Sequence, residues 1–383
     1  MKALRLIIFA YCILNFACKD SFKPEIDDNY KDLLVVEGFI DIGGITTIKV
    51  ARSVDLLDSR SSAPEKNATI SILGEDGIEI KGTTNDLGEC SLSTQSLNLT
   101  KKYKLSIILA DAKIYETGFL TSKATPEIDD LKFSVTDNGF NVLLSTHDES
   151  NTTKYYTWDY DETWEVRVPF VSTHEFKNLE VVLRDPNINI QHCWANASSS
   201  NILLGSTARL SQDKITDAPM TFIAGNSIKV AYLYSILVKQ YGLTKEAYEY
   251  LENLKKNTEQ IGGIFDSQPS ELKGNITCIS DPKEQVIGWI SAGHMVQKRL
   301  FIKDSDKPSF GSNWVYIQPC ESVVIPKDSL INYIRANKVI VNEQSWVAPG
   351  TVEPILYRYT MSTAACIDCR LKGSNIKPSF WPN

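Results

Sequence analysis

Apolar and polar residues take turns along much of this chain. From Leu33 onward the runs LLVVEGFI, TTIKVAR, ATISIL, IEIKGTT, YKLSIIL and KIYETGFL are broken by Gly-Gly, Glu-Asp-Gly and Asp-Leu-Gly. A period of two sends one face of each run to a core and the other to water, and the breaks supply turns, so these runs predict β-strands. Ile70, Ile72, Leu105 and Ile107 are the inward positions, with Gly77 and Gly88 at turns. So many short strands in close succession predict a sandwich over residues 33–125. The TPEIDD stretch of Thr125 to Asp130, with its proline and three acids, marks the expected boundary.

The remainder, 126–383, reads as a larger β-rich domain. LKFSVTDNGFNVLLSTHD predicts a hairpin. In KYYTWDYDETWEVRVPF, strand alternation places Tyr156, Trp158 and Tyr160 on one face and Tyr155, Asp159 and Asp161 on the other. Residues 175–228 are less regular. Ser198 to Ser200 read as a loop and Ile202 to Leu204 as a strand, and a loop on such a scaffold is where binding function is expected. Between Thr244 and Gln260 the period changes: Ala247, Tyr248, Leu251 and Leu254 fall three and four apart, which predicts one main amphipathic helix over 244–260. Thr244 is its expected N-cap and Gly262-Gly263 its stop. A helix among strands must lay its stripe on a sheet, so it is expected to act as a cover. A shorter helix is allowed over Ser329 to Asn337.

The run YSILVKQYGLTKEAYEYLENLKKNTEQIGGIFDSQPSELKGNI, followed by EQVIGWISA and by the C-terminal CIDCRLKGSNIKPSFW, resembles the domain-of-unknown-function 4249 family of Bacteroidota lipoproteins. Within the first domain, ATISILGEDGIEIKGTTNDLGECSL and KKYKLSIILADAKIYE resemble the prealbumin-like, immunoglobulin-like sandwiches of outer-membrane proteins. The resemblance implies an outer-membrane lipoprotein, often linked to TonB-dependent transport, and carries no established biochemical activity.

The N-terminus agrees with export. Lys2 and Arg5 precede the apolar core Leu6 to Phe16, too short to span a bilayer, so 1–17 reads as a signal peptide. Cys18 is the expected lipidation site, Lys19-Asp20 resembles a surface-export signal, and 18–32 is a polar tether. The net charge of −7 loses Lys2 and Arg5 with the signal, leaving −9, which argues against nucleic acid as a partner.

Apart from Cys12 and Cys18 there are six cysteines, Cys90, Cys193, Cys278, Cys320, Cys366 and Cys369, an even number in an exported chain. Cys366-Ile367-Asp368-Cys369 lacks the second pair of a zinc site and the α/β setting of a redox motif. It is therefore read as structural, with Cys366 or Cys369 bridged to Cys193 or Cys320 so that the tail is stapled down. Phe380 and Trp381 are expected to plug a groove of their own domain.

Catalytic templates do not fit. His174-Glu175 is followed by Asn178 where a zinc protease needs its second histidine, and Ser291 near His294 lies in a G-x-x-S-x-G spacing. Asp159, Asp161, Glu162 and Glu165 lack the spacing of a calcium loop. No catalytic residue, metal site or cofactor is assigned. The reading is a non-enzymatic surface lipoprotein of the outer membrane, anchored through Cys18, that binds a nutrient or assists a TonB-dependent receptor. The alternatives are an adhesion or envelope protein and, third, a glycan- or peptide-acting enzyme using acids such as Asp159 and Glu162.

Overall fold

Leu34–Asp41 and Ile45–Arg52 open the fold as an antiparallel hairpin that sends Leu34, Val36, Ile40, Ile48 and Val50 into a core. The computed structural model describes residues 32–54, 62–259, 272–309, 311–347, 349–350, 352 and 354–382. The signal peptide, Cys12, Cys18, Lys19-Asp20, nearly all of the tether and Gly262-Gly263 lie outside the described residues. The chain is mainly β, as the alternation predicts.

The first hairpin belongs to a curled sheet of 12 strands among the described residues. Thr69–Gly74 pairs with Glu79–Thr83 and with Lys102–Ile108, and the sheet's folded-over faces enclose Ile70, Ile72, Tyr103, Leu105, Ile107 and Tyr115. One part of this sheet departs from the expected division. Residues 276–293, expected in the second domain, return to the first: Ile276–Cys278 pairs with Ile114–Thr117, and Ser291–Gly293 inserts in parallel between Leu34–Asp41 and Leu120–Lys123. Short parallel pairings across some 250 residues leave no local sequence signature, whereas hairpins do. Gly288 is required where the segment crosses the first strand. Its φ is +140° and a Cβ would lie 2.1 Å from the Val36 carbonyl oxygen.

Glu284 clamps the returning segment. Its carboxylate accepts hydrogen bonds from Tyr115 at 2.6 Å, Lys113 at 2.7 Å and Arg52 at 3.3 Å, and Arg52 also holds Glu65 at 2.7 Å. Burial opposes the charged form of Glu284, but the bonds from Lys113 and Tyr115 outweigh it and hold the carboxyl below its ordinary value of 4.5.

The middle of the chain forms a second pair of layers. Ile128–Val135, Gly139–His147 and Lys214–Ala224 make a three-stranded sheet. It packs on five strands, His192–Ser198, Leu203–Ser206, Tyr155–Arg167, Leu233–Gly242 and Met295–Lys303. Phe140, Val142, Leu144, Tyr156, Trp158, Tyr234, Ile236 and Val238 fill the space between. Polar atoms in this core are paired: the Trp158 indole N–H donates to Gln240 at 2.8 Å, and Gln240 donates in turn to the Pro126 carbonyl and Thr146. The helix spans Lys245–Glu259, with Thr244 Oγ1 accepting from the Ala247 N–H at 3.3 Å.

A third layer closes the chain: Ser322–Pro326, Lys338–Val347 and Pro354–Thr363 form a sheet beside the short helix Leu330–Arg335 and the hairpin His174–Lys177/Glu180–Leu183. Cys193 is bonded to Cys369 and Cys320 to Cys366, while Cys90 and Cys278 are buried free thiols. Trp381 is buried against Phe301 and donates to Glu165 at 3.0 Å, whereas Phe380 stays partly exposed beneath Arg299.

Two outcomes test these contacts. Replacing Glu284 by Gln should cost about 1–3 kcal/mol at pH 7. Because the folded-state pKa is depressed, the charged group's contribution is present above the ordinary value and lost as pH falls below it. The difference between the two proteins in urea midpoint should therefore shrink toward pH 3; a constant difference would remove the clamp. Non-reducing peptide mapping by mass spectrometry should recover Cys193 linked to Cys369 and Cys320 linked to Cys366, with a 366–369 link contradicting the fold.

Candidate functional site

The helix does not seal the sheet it was expected to cover. Ala247 and Tyr250 are buried, but Leu251 and Leu254 are only half-buried and line an open cleft of about 800 Å³. The cleft lies where the first sheet, the five-stranded sheet and the helix meet. Val35, Phe39 and Ile45 come from the first hairpin, Ile287 and Trp289 from the returning segment, and Asp159, Lys239 and Tyr241 from the five-stranded sheet.

Local bonds hold each wall. Tyr250 packs on Trp289 with ring centroids 5.5 Å apart, and Tyr248 on Tyr155 at 5.1 Å, so the helix bridges both sheets. Near its end, Glu259 accepts from the Ile202 N–H at 2.6 Å and Lys255 donates to the Ile202 carbonyl at 2.7 Å. These bonds hold Ile202 beside the helix, and residues 199–202, at the Ser198 to Ser200 loop of the region where binding function is expected, form part of the cleft wall. Asp41 accepts from the Met295 N–H at 2.9 Å, joining first hairpin to central sheet, and burial pushes its carboxyl above the usual range.

The polar floor comes from two neighbouring strands. Asp159 pairs in register with Lys239, and Tyr241 follows two residues on along the same face. Lys239 Nζ is 2.8 Å from Asp161 and 3.6 Å from Asp159, and Tyr241 donates to Asp159 Oδ2 at 3.0 Å. Ser198 donates to Asp161 at 2.7 Å. Burial raises the Asp159 carboxyl above its usual range despite the Lys239 charge and the Tyr241 hydroxyl. For Asp161 burial works the same way, but the bonds from Lys239 and Ser198 prevail and hold it below that range. Lys239 is held above its ordinary value, burial being outweighed by the two aspartates.

Other candidates separate. Glu162 projects from the opposite face of its strand, where it is buried and takes hydrogen bonds from Tyr234 and Lys229, so Asp159 and Glu162 do not share a cleft. Glu165 lies farther along the Asp159 face under Trp381. Ser291 lines the cleft, but His294 turns its Nδ1 to the Ile42 carbonyl at 3.2 Å. His174 sits on the hairpin of the third layer, 3.5 Å from Glu343. Among the described residues no three His, Cys, Asp or Glu side chains gather as a metal-holding group. Lys239, Tyr241 and Trp289 were not singled out from sequence. The available signal was the alternation in YSILVKQYG, which puts Lys239 and Tyr241 opposite the buried Tyr234, Ile236 and Val238.

Fold and cleft together define a multilayer β-protein with an open cleft between its first sheet, central sheet and one helix. The chain belongs to the family described as Domain of unknown function (DUF4249), whose match spans residues 19–299 and so includes every residue lining the cleft. The C-terminal segment, where resemblance to the family's ending was expected, falls outside that span. No curated protein matches the chain.

Opposite displacements of the two aspartates are directly measurable. In a carboxyl ¹³C NMR titration Asp159 should protonate above 3.8 and Asp161 below it. Lys239→Ala should raise both; unchanged midpoints would mean that Lys239 does not balance the pair.

Proposed function

We propose that this protein is an outer-membrane lipoprotein, anchored by a lipid on Cys18 and facing the cell exterior, that captures a small ligand in the cleft beside a TonB-dependent transporter and does not transform it. The observation that carries the binding half is the cleft itself. An 800 Å³ concavity with mixed apolar and polar walls falls within the range of roughly 300–1,000 Å³ typical of small-molecule sites. Its walls come from three separately braced elements, so its shape exists before any ligand arrives.

The non-catalytic half draws support from the placement of Asp159 and Glu162, the acids the sequence offered for catalysis. Glycoside hydrolysis needs two carboxyls facing one substrate, about 5–10 Å apart. Asp159 and Glu162 point to opposite sides of one strand. Asp159 and Asp161 do share a face, but Lys239 ties them into one ion cluster. Anchoring and the transporter partnership rest on the N-terminal pattern and on family resemblance.

The test is affinity purification of the native protein from gently solubilised outer membranes, with mass spectrometry of what accompanies it and a Cys18→Ala control. A stoichiometric TonB-dependent barrel that disappears in the control is the expected result. Arrival of the protein alone would overturn the transport partnership.

A further inference from the structure

We infer that the cleft selects a cationic amphipath, a primary amine or guanidinium carried on an aromatic or alkyl body, whose charged end meets Asp159 and whose body lies along Trp289, Leu251 and Leu254. This inference rests on the binding reading above and names the ligand class for the same cleft.

The apolar end follows from what the helix leaves uncovered. Leu251 and Leu254 belong to a stripe that a covering helix would bury, yet both face the cleft together with Ile202, Ile287 and Trp289. An apolar body laid there removes this surface from water at about 25 cal/mol per Å².

The charge preference follows from the floor. Three acids, Glu37, Asp41 and Asp159, line the cleft against one lysine, Lys239, which makes its closer contact with Asp161 outside the lining. Arg299 contributes its charge toward Asp161 and is stacked 3.5 Å from the Phe380 ring centroid, farther along the sheet. Asp41 already holds the Met295 N–H. Glu37 is exposed to solvent, and of the two more enclosed acids Asp159 is the less fully bonded. Its side chain is 46% exposed while its Oδ1 is closed off and accepts no hydrogen bond among the described residues. The open surface therefore belongs to Oδ2 and the carbons. Oδ2 takes the Tyr241 hydroxyl and, as a carboxylate oxygen of a residue lining the cleft, retains capacity for a further donor. A cationic donor there would make a charge-assisted hydrogen bond, and the edge-to-face rings of Phe39 and Tyr241, 4.8 Å apart, offer aromatic surface to the same charge. An anionic ligand would meet the acids instead, with Lys239 already engaged.

Three matched fluorescent probes test this on the full chain: dansylcadaverine, its N-acetyl derivative, and dansyl-6-aminohexanoate, which differ at the chain end. The amine should bind at least about tenfold more tightly than the acetylated probe, the scale of one charge-assisted contact, with the carboxylate weakest. Asp159→Asn should bring the amine down to the level of the acetylated probe and leave the latter unchanged. Leu251→Trp, which fills the cleft, should weaken all three, with near-native melting of both variants as the folding control. A carboxylate or neutral probe that binds as well as the amine, or an amine indifferent to Asp159→Asn, overturns the cationic class. If that equal binding is still lost in Leu251→Trp, the cleft remains a binding site. If no probe binds, the class is overturned; if Leu251→Trp also leaves the co-purifying partners unaltered, the binding reading falls with it.

Discussion

One stretch of backbone belongs to two sheets, and the architecture depends on that shared membership. Ser291–Gly293 lies between the first strand and Leu120–Lys123, and after the single residue His294 the same chain becomes the Met295–Lys303 edge of the central sheet. The crossing is bonded on both sides: the Ile42 N–H donates to the Gly293 carbonyl, the His294 N–H to the Lys123 carbonyl, and the Met295 N–H to Asp41. With so short a covalent link, the first sheet cannot tilt against the central one without breaking ladder bonds. That constraint turns the gap between them into a cleft of defined shape rather than a hinge.

The helix Lys245–Glu259 is best understood as part of the return path. The chain leaves the central sheet at Gly242, and its next strand in the described residues, Ile276–Cys278, is on the first sheet. Tyr248 and Tyr250 attach the helix to the two sides through Tyr155 and Trp289. A helix straddling two sheets cannot press its whole stripe onto either. Leu251 and Leu254 forgo part of the roughly 1.5–3 kcal/mol that full burial of each would contribute. The unburied portion is what gives the cleft its apolar wall.

The local elements were legible in the sequence, and their assembly was not. Strand alternation identified both faces of Tyr155–Arg167, with Tyr156 and Trp158 inward and Asp159 and Asp161 outward, because a period of two has one physical meaning in a sheet. The helix was legible from its change of period. The return of 276–293 was not, since parallel pairing depends on chain ends brought together by everything between them. The cleft escaped for the same reason: Phe39, Asp159, Lys239 and Trp289 are distant in sequence and meet only once that return is made.

The polar face of the central sheet is treated unequally along its length, and the inequality is informative. At the far end Glu165 is nearly sealed, taking the Trp381 indole N–H at 3.0 Å and Arg167 at 2.8 Å, under a tail tied down by the Cys193–Cys369 bond. In the middle Asp161 holds Lys239 and Ser198. At the cleft Asp159 holds one tyrosine hydroxyl and a lysine 3.6 Å away. Compensation thus declines toward the open end, where the protein raises the pKa of the carboxyl instead of pairing it fully. A sheet selected for stability alone would gain by completing that pairing or by substituting an apolar residue. Keeping an incompletely paired carboxylate beside half-buried leucines is physically costly in the unbound protein, and under the ligand class inferred above that cost would be recovered by one molecule supplying both the missing cation and the missing apolar contact.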